Sequence, residues 1–66
     1  MTVFVNGETR TVIEPLTLEE LIEQLGLSKA ACASELNRRL VPKQSRRNFP
    51  LNEGDVIEIV TMVGGG

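Results

Sequence analysis

The residues of this 66-residue chain that could do chemistry are few, and three of them stand together as its last residues. Gly64, Gly65 and Gly66 have no side chains to pack and the largest backbone freedom of any residue type. Such a run can thread through a narrow slot close to another protein's backbone, where its only reactive group is the α-carboxylate. We therefore predict a flexible tail at 64–66 that enters a partner, although a frayed terminus has the same composition.

A carboxylate is a poor electrophile, so this tail needs activation before it can react. ATP can convert it to an acyl-adenylate, which a sulfur or nitrogen nucleophile then attacks. The chain has no histidine, and it has no glycine-rich phosphate-binding loop of the Walker type. We therefore expect ATP and Mg²⁺ to be used by an activating partner, with no cofactor or metal bound by this chain, which we do not expect to be an enzyme.

Cys32 is the only cysteine, and two interpretations are open for it. It could relay sulfur or form a covalent link to a partner, or it could be a small packed residue of a strand. We favour packing, because no histidine or metal motif is present to activate the thiol. A single cysteine forms neither an internal disulfide nor a cysteine-rich zinc site, which favours a reducing, cytoplasmic location.

Composition also narrows the classes of partner. A net charge of −2, two phenylalanines and no tryptophan or tyrosine argue against nucleic-acid binding, and no apolar run is long enough to span a membrane. Five of the seven basic residues lie within ten positions: Arg38, Arg39, Lys43, Arg46 and Arg47. This stretch is either a solvated loop or a surface that steers the chain onto an acidic partner.

The first half of the chain predicts a hairpin and a helix. Residues 2–5 and 9–13 are rich in β-forming types and flank Asn6-Gly7, which is typical of a two-residue hairpin turn. Thr17 and Glu20 form a capping box, and apolar residues follow at helical spacing until Gly26, a typical C-terminal stop. A helix of about two turns is unstable alone, so it must rest on a sheet.

The second half predicts strands. In order, they are a strand at 32–37, a short strand at 39–41 that Pro42 ends, and a last strand at 56–63. Between them, residues 43–50 are polar and basic, and we expect Phe49 to anchor this segment in the core. On the last strand, alternation places Ile57 and Ile59 towards the helix.

This element order predicts an α+β domain over residues 1–63, with the flexible tail at 64–66. A hairpin, a crossing helix and further strands give a mixed sheet with one helix on one face, and the last strand lies beside the first at the sheet centre. This is the β-grasp, or ubiquitin-like, fold. Phe4, Val60 and Met62 then point away from the helix, and with Val63 we predict that they form a partner-binding patch; scattered exposed apolar residues are the alternative.

Several segments resemble the ThiS family, the sulfur carrier proteins of thiamine biosynthesis. They are LTLEEL at 16–21, ELN at 35–37, LVPK at 40–43, LNEGDVIEIVT at 51–61 and VGGG at 63–66. The resemblance implies that an E1-like adenylyltransferase of the ThiF type adenylates Gly66, that sulfur originating from cysteine makes it a thiocarboxylate, and that a ThiG-type thiazole synthase takes that sulfur. Gly64 and Gly65 would thread into these partners.

Two other functions remain open at this point. A related carrier of sulfur for molybdopterin or another pathway has a similar glycine end, and a ubiquitin-like interaction module would bind partners without tail chemistry. The chain also departs from the family pattern. Arg38 stands where the hairpin commonly has glycine, and Cys32 and Ser34 are smaller and more polar than the usual aliphatic residues, which puts local packing in question.

Overall fold

The computed structural model describes residues 1–62, so the predicted tail at 64–66 and Val63 lie outside the described residues. Within that range the elements, in chain order, are β1 (Thr2–Val5), β2 (Glu8–Thr11), α1 (Leu18–Gln24), β3 (Cys32–Leu36), β4 (Arg39–Val41), a 3₁₀ helix (Lys43–Asn48) and β5 (Val56–Thr61). No helix among these residues is long and apolar enough to cross a membrane.

The five strands form one mixed sheet in the order β2-β1-β5-β3-β4. β1 and β5 are parallel, with Phe4 opposite Val56, and the other neighbours are antiparallel. The last strand therefore lies beside the first at the centre of the sheet. This confirms the predicted α+β, ubiquitin-like β-grasp fold.

The core lies between the sheet and α1. Ile57 and Ile59 of β5 are 0% and 7% exposed, which confirms that they face the helix. The other buried apolar residues are Val3, Val5, Val12, Leu16, Leu18, Leu21, Ile22, Val41 and Leu51.

The turn between β1 and β2 also connects the hairpin to the central strand. Asn6 and Gly7 both have positive φ, 50° and 84°, as a type I′ turn requires. The Asn6 side-chain amide donates to the Ile59 carbonyl at 3.1 Å, and its Oδ1 accepts from the Ile59 N–H at 2.7 Å. Asn6 thus occupies the pairing position that β1 leaves when it turns. β2 ends at Thr11, two residues before the predicted end at residue 13, and the Ile13 side chain is 87% exposed.

The ends of α1 follow the sequence signals. The Thr17 hydroxyl accepts from the Glu20 N–H at 3.2 Å, and the Glu20 carboxylate accepts from the Thr17 N–H at 2.9 Å. At the other end, Gly26 has φ 77°, and the Leu27 N–H donates to the Ile22 carbonyl at 3.0 Å. This hydrogen bond belongs to a Schellman motif. The predicted capping box and glycine stop are both confirmed.

The prediction for residues 43–50 is wrong about the anchor. The Phe49 side chain is 40% exposed, whereas Arg46 in the 3₁₀ helix is 1% exposed. The Arg46 guanidinium is satisfied inside: Nε donates to Ser34 Oγ at 3.0 Å, and Nη2 donates to the Cys32 carbonyl at 2.7 Å. Phe49 instead holds the segment through its backbone, since its carbonyl accepts from the Leu18 N–H at 2.9 Å.

Arg46 also explains an unusual feature of β3. Ser34 points into the core and is 0% exposed, a position where an aliphatic residue was expected. A buried arginine needs acceptors for its N–H groups, and the Ser34 hydroxyl supplies one of them. The small polar residue on β3 and the buried arginine of the 3₁₀ helix are therefore one structural feature.

We predict that Ser34→Ala lowers the free energy of unfolding by about 1–3 kcal/mol, because it leaves the buried Nε–H of Arg46 without an acceptor. Ser45→Ala is the matched control, since it removes the same hydroxyl from a half-buried position of the 3₁₀ helix. Urea denaturation of both variants measures the difference. Equal effects of the two substitutions would contradict the role given to Ser34.

The second hairpin turn predicts a stabilising substitution. Asn37 and Arg38 have φ 52° and 71°, and arginine is strained in this left-handed region. Arg38→Gly should raise the free energy of unfolding by about 0.5–1 kcal/mol. Arg39→Gly removes the same charge from β4 and should lower it by a similar amount. A loss of stability in Arg38→Gly, measured by thermal unfolding, would show that Arg38 makes a stabilising contact.

Candidate functional site

The predicted reactive tail follows the central strand. β5 ends at Thr61, which pairs with Cys32 of β3, and the Met62 N–H still donates to the Ala31 carbonyl at 2.8 Å. The chain is thus hydrogen-bonded to the sheet up to Met62. Gly66, the predicted site of modification, is the fourth residue after Met62 and lies outside the described residues, together with Gly64, Gly65 and Val63.

The sheet face opposite α1 is the second part of the candidate site. Along β5, Ile57 and Ile59 point to the core, so Val60 and, by the same alternation, Met62 point away from it. These two side chains are 63% and 61% exposed, and Phe4 of β1 is 39% exposed on the same face. The structure therefore brings Phe4, Val60 and Met62 to one open surface, as the sequence predicted; their role in binding stays a prediction.

Sequence reasoning missed two apolar residues of this surface. Val56 lies opposite Phe4 in the parallel pair and is 41% exposed, and Leu40 of β4 is 67% exposed. Leu40 pairs with Glu35, and Glu35 with Glu58, so the register puts Leu40 on the same face as Val60. We call this surface the outer face; its apolar residues are Phe4, Leu40, Val56, Val60 and Met62. The alternation within β5 was the signal that could have found Val56, whereas the three residues of β4 give too little alternation to place Leu40.

Two carboxylates interrupt the outer face. Glu35 of β3 and Glu58 of β5 are directly opposite each other in the antiparallel register, and both are exposed. Like charges directly opposite on one face destabilise a sheet. On β5, Glu58 stands between Val56 and Val60. The outer face therefore offers apolar contacts around an acidic pair, an arrangement that complements a surface carrying a cation.

The basic stretch does not form one surface. Arg46 is buried, while Arg38 and Arg39 lie at the turn and edge strand beside β3. Lys43 and Arg47 line a groove between α1 and the 3₁₀ helix. The groove is also lined by three acidic residues, Glu19, Glu20 and Glu23, and by Thr17 and Gln44. Only part of the stretch is therefore available to meet an acidic partner.

Cys32 begins β3 and is partly buried against the core. Its carbonyl accepts from Arg46, and its thiol packs on the helix side of the sheet, as the packing interpretation expects. Among residues 1–62, no group of three or more His, Cys, Asp or Glu side chains is placed to hold a metal ion.

The comparisons with known proteins agree with this geometry. The family model for the ThiS family matches residues 3–66. The chain belongs to the ThiS family. It is therefore a member of a family of small sulfur carrier proteins, and the match runs through the glycines at 64–66.

Individual relatives support the same assignment. The sulfur carrier protein ThiS of Thermus thermophilus is 36% identical over 64 residues, which cover 97% of this chain and 98% of that protein. The crystal structure of the thiamine biosynthesis protein ThiS from Geobacter metallireducens superposes with a TM-score of 0.83 at 30% identity and covers 100% of both chains. A thiazole synthase of Paramagnetospirillum magneticum is 39% identical over 66 residues. That match covers all of this chain but spans only 20% of the length of the thiazole synthase.

Proposed function

We propose that this chain carries sulfur as a thiocarboxylate on Gly66 and donates it to thiazole synthesis for thiamine. The observation that carries the proposal is the ThiS family match, which extends over the three terminal glycines. Their lack of side chains suits a tail that must enter the narrow active sites of two different enzymes. In this function the chain is a co-substrate.

The chemistry needs two steps at the same carbon. A carboxylate oxygen of Gly66 attacks the α-phosphorus of ATP, pyrophosphate leaves, and an acyl-adenylate forms. A hydrosulfide, whose sulfur originates from cysteine, then attacks the carbonyl carbon; the C–S bond forms, the C–O bond to AMP breaks, and the tail ends in a thiocarboxylate. An E1-like adenylyltransferase of the ThiF type supplies the nucleotide site and Mg²⁺, and this chain supplies the acyl group.

The proposed acceptor of the sulfur is a thiazole synthase of the ThiG type. Support comes from two thiazole synthases that contain a segment similar to this whole chain, at 39% and 35% identity, within proteins five times as long. A carrier sequence within the same polypeptide as a thiazole synthase is expected if the two act in consecutive steps. We extend that relation to this chain and a separate synthase.

The outer face is the proposed docking surface for the adenylyltransferase. A tail that extends from Met62 to Gly66 spans only about 13 Å at the usual rise per residue. The domain must therefore bind close to the catalytic centre of the adenylyltransferase. The outer face includes Met62 itself and continues along β5 through Val60. We propose that apolar side chains of the enzyme cover this face and that a basic side chain meets Glu35 and Glu58.

Incubation with a ThiF-type enzyme, ATP and a sulfur donor should replace one oxygen of the chain by sulfur. Intact-mass measurement followed by fragmentation should place that sulfur on Gly66. A variant without Gly66 should keep the native melting curve and remain unmodified. If a competent enzyme, checked with its own carrier, produces no such species, the chain is an interaction module without tail chemistry.

Genetic loss separates the two possible pathways. We expect a strain that lacks this protein to require the thiazole part of thiamine for growth, because its thiazole synthase has no sulfur source. A requirement for molybdopterin instead would assign the chain to the related carriers. In either case, complementation with the intact chain should remove the growth requirement, which shows that the requirement comes from loss of this protein.

The docking proposal is tested with Phe4→Ala combined with Val60→Asp. Binding to the adenylyltransferase should weaken at least about tenfold, which corresponds to 1.4 kcal/mol, because apolar area is lost and a third acid is added to the face. Ile13→Asp is the control, since Ile13 is 87% exposed and lies away from β5. Unchanged affinity in a double variant with a native melting curve would contradict the proposal.

A further inference from the structure

The edge strand β2 has unsatisfied backbone groups that are open to solvent. Met1 and Val12 exchange two backbone hydrogen bonds, at 2.7 and 2.8 Å. The Phe4 N–H points the other way, to β5, and donates to the Asp55 backbone carbonyl at 2.9 Å. Hydrogen-bonded and non-hydrogen-bonded pairs alternate in an antiparallel ladder. Phe4 pairs with Thr9, so the N–H and C=O of Thr9 point outward, and all four residues of β2 are exposed.

The opposite edge, β4, is protected in ways that β2 is not. β4 has three residues, Pro42 follows it directly, and Arg38 and Arg39 give its start a double positive charge. Short length, proline and like charge are the usual means of preventing edge-to-edge pairing. β2 has one acid and one base, Glu8 and Arg10, and the residues around Thr9 include no proline.

We propose that β2 pairs antiparallel with β2 of a second copy of this chain, across a two-fold axis at Thr9. The outward-pointing backbone N–H and C=O groups of one β2 strand must hydrogen-bond to those of the other. Thr9 therefore lies opposite Thr9 of the second copy, and Gly7 lies opposite Thr11 of that copy. This register joins the two sheets into one continuous sheet. The inference does not depend on the proposed function, since it uses no tail residue.

Charge selects this register. Glu8 and Arg10 pair with Val5 and Val3 of β1, so both lie on the helix side of the sheet. With the axis at Thr9, each Glu8 faces Arg10 of the second copy in a non-hydrogen-bonded pair, where cross-strand side chains are closest. An axis at Arg10 would oppose two arginines, and an axis at Thr11 would place Arg10 opposite Val12.

The dimer leaves the outer face free. A two-fold axis perpendicular to the sheet puts both outer faces on one side and both copies of α1 on the other, so neither is covered. Because the β4 edges are protected, the assembly stops at two copies. The interface is a single strand pair and is small, so the dimer is expected to be weak and dependent on concentration.

Substitutions that reverse the charges of Glu8 and Arg10 test the proposal. Sedimentation equilibrium of the full chain at up to about 1 mM, where weak interfaces are populated, should show a monomer–dimer equilibrium with a reducing agent present to exclude Cys32 disulfides. Glu8→Arg or Arg10→Glu alone should weaken the dimer at least about tenfold, since each opposes like charges. The double variant should restore it, and the two single variants should pair with each other when mixed.

Thr9→Pro is the independent test, because it removes an outward N–H without removing a hydrogen bond between β1 and β2. It should be monomeric with a melting curve close to that of the parent chain. A parent chain that stays monomeric at 1 mM would overturn the proposal. Single charge variants that dimerise like the parent, or a double variant and a mixture that fail to associate, would overturn it as well.

Discussion

The structure depends on one constraint: the last strand lies in the middle of the sheet, so its backbone must be hydrogen-bonded on both sides. β1 pairs with it for only two residues, Phe4 and Val5, before the chain turns. The Asn6 side chain then takes over and satisfies both backbone groups of Ile59. On the other side, beyond β3, Asn37 Oδ1 accepts from the Val56 N–H at 2.9 Å. Each hairpin turn therefore contributes an asparagine that completes the central ladder.

This constraint links the fold to the proposed chemistry. The strand that is held most completely is the one that continues into the glycines, so the base of the tail is fixed at Met62. The same strand supplies Val56 and Val60 to the outer face, and Met62 directly follows it. A partner that binds the outer face thereby sets the position of the tail. In the proposed function the chain needs no catalytic side chain, because that proposal assigns the nucleotide site and the sulfur donor to the partners.

Local signals predicted most of the fold, and their failures have a physical cause. Asn6-Gly7, the Thr17–Glu20 capping box and the alternation of Ile57 and Ile59 depend on residues a few positions apart, and all three are confirmed. The choice between Phe49 and Arg46 as the buried residue depends on Ser34, which is 12 residues away in sequence. No local pattern shows that a guanidinium has acceptors at that distance, so the sequence predicts that the apolar side chain of Phe49 is the buried one. Leu40 on the outer face was missed because a three-residue strand gives little alternation.

Amide hydrogen exchange at Ile59 and Val56 tests the central constraint most directly. Both N–H groups are accepted by asparagine side chains, at 2.7 and 2.9 Å, where a neighbouring strand would otherwise supply a backbone carbonyl. If these side chains complete the ladder, both amides exchange with solvent only through global unfolding. Their exchange is then as slow as that of the amides in backbone hydrogen bonds between β3 and β5. Fast exchange at either position, with slow exchange in the rest of β5, would show that the central strand is held on one side only and would contradict this account.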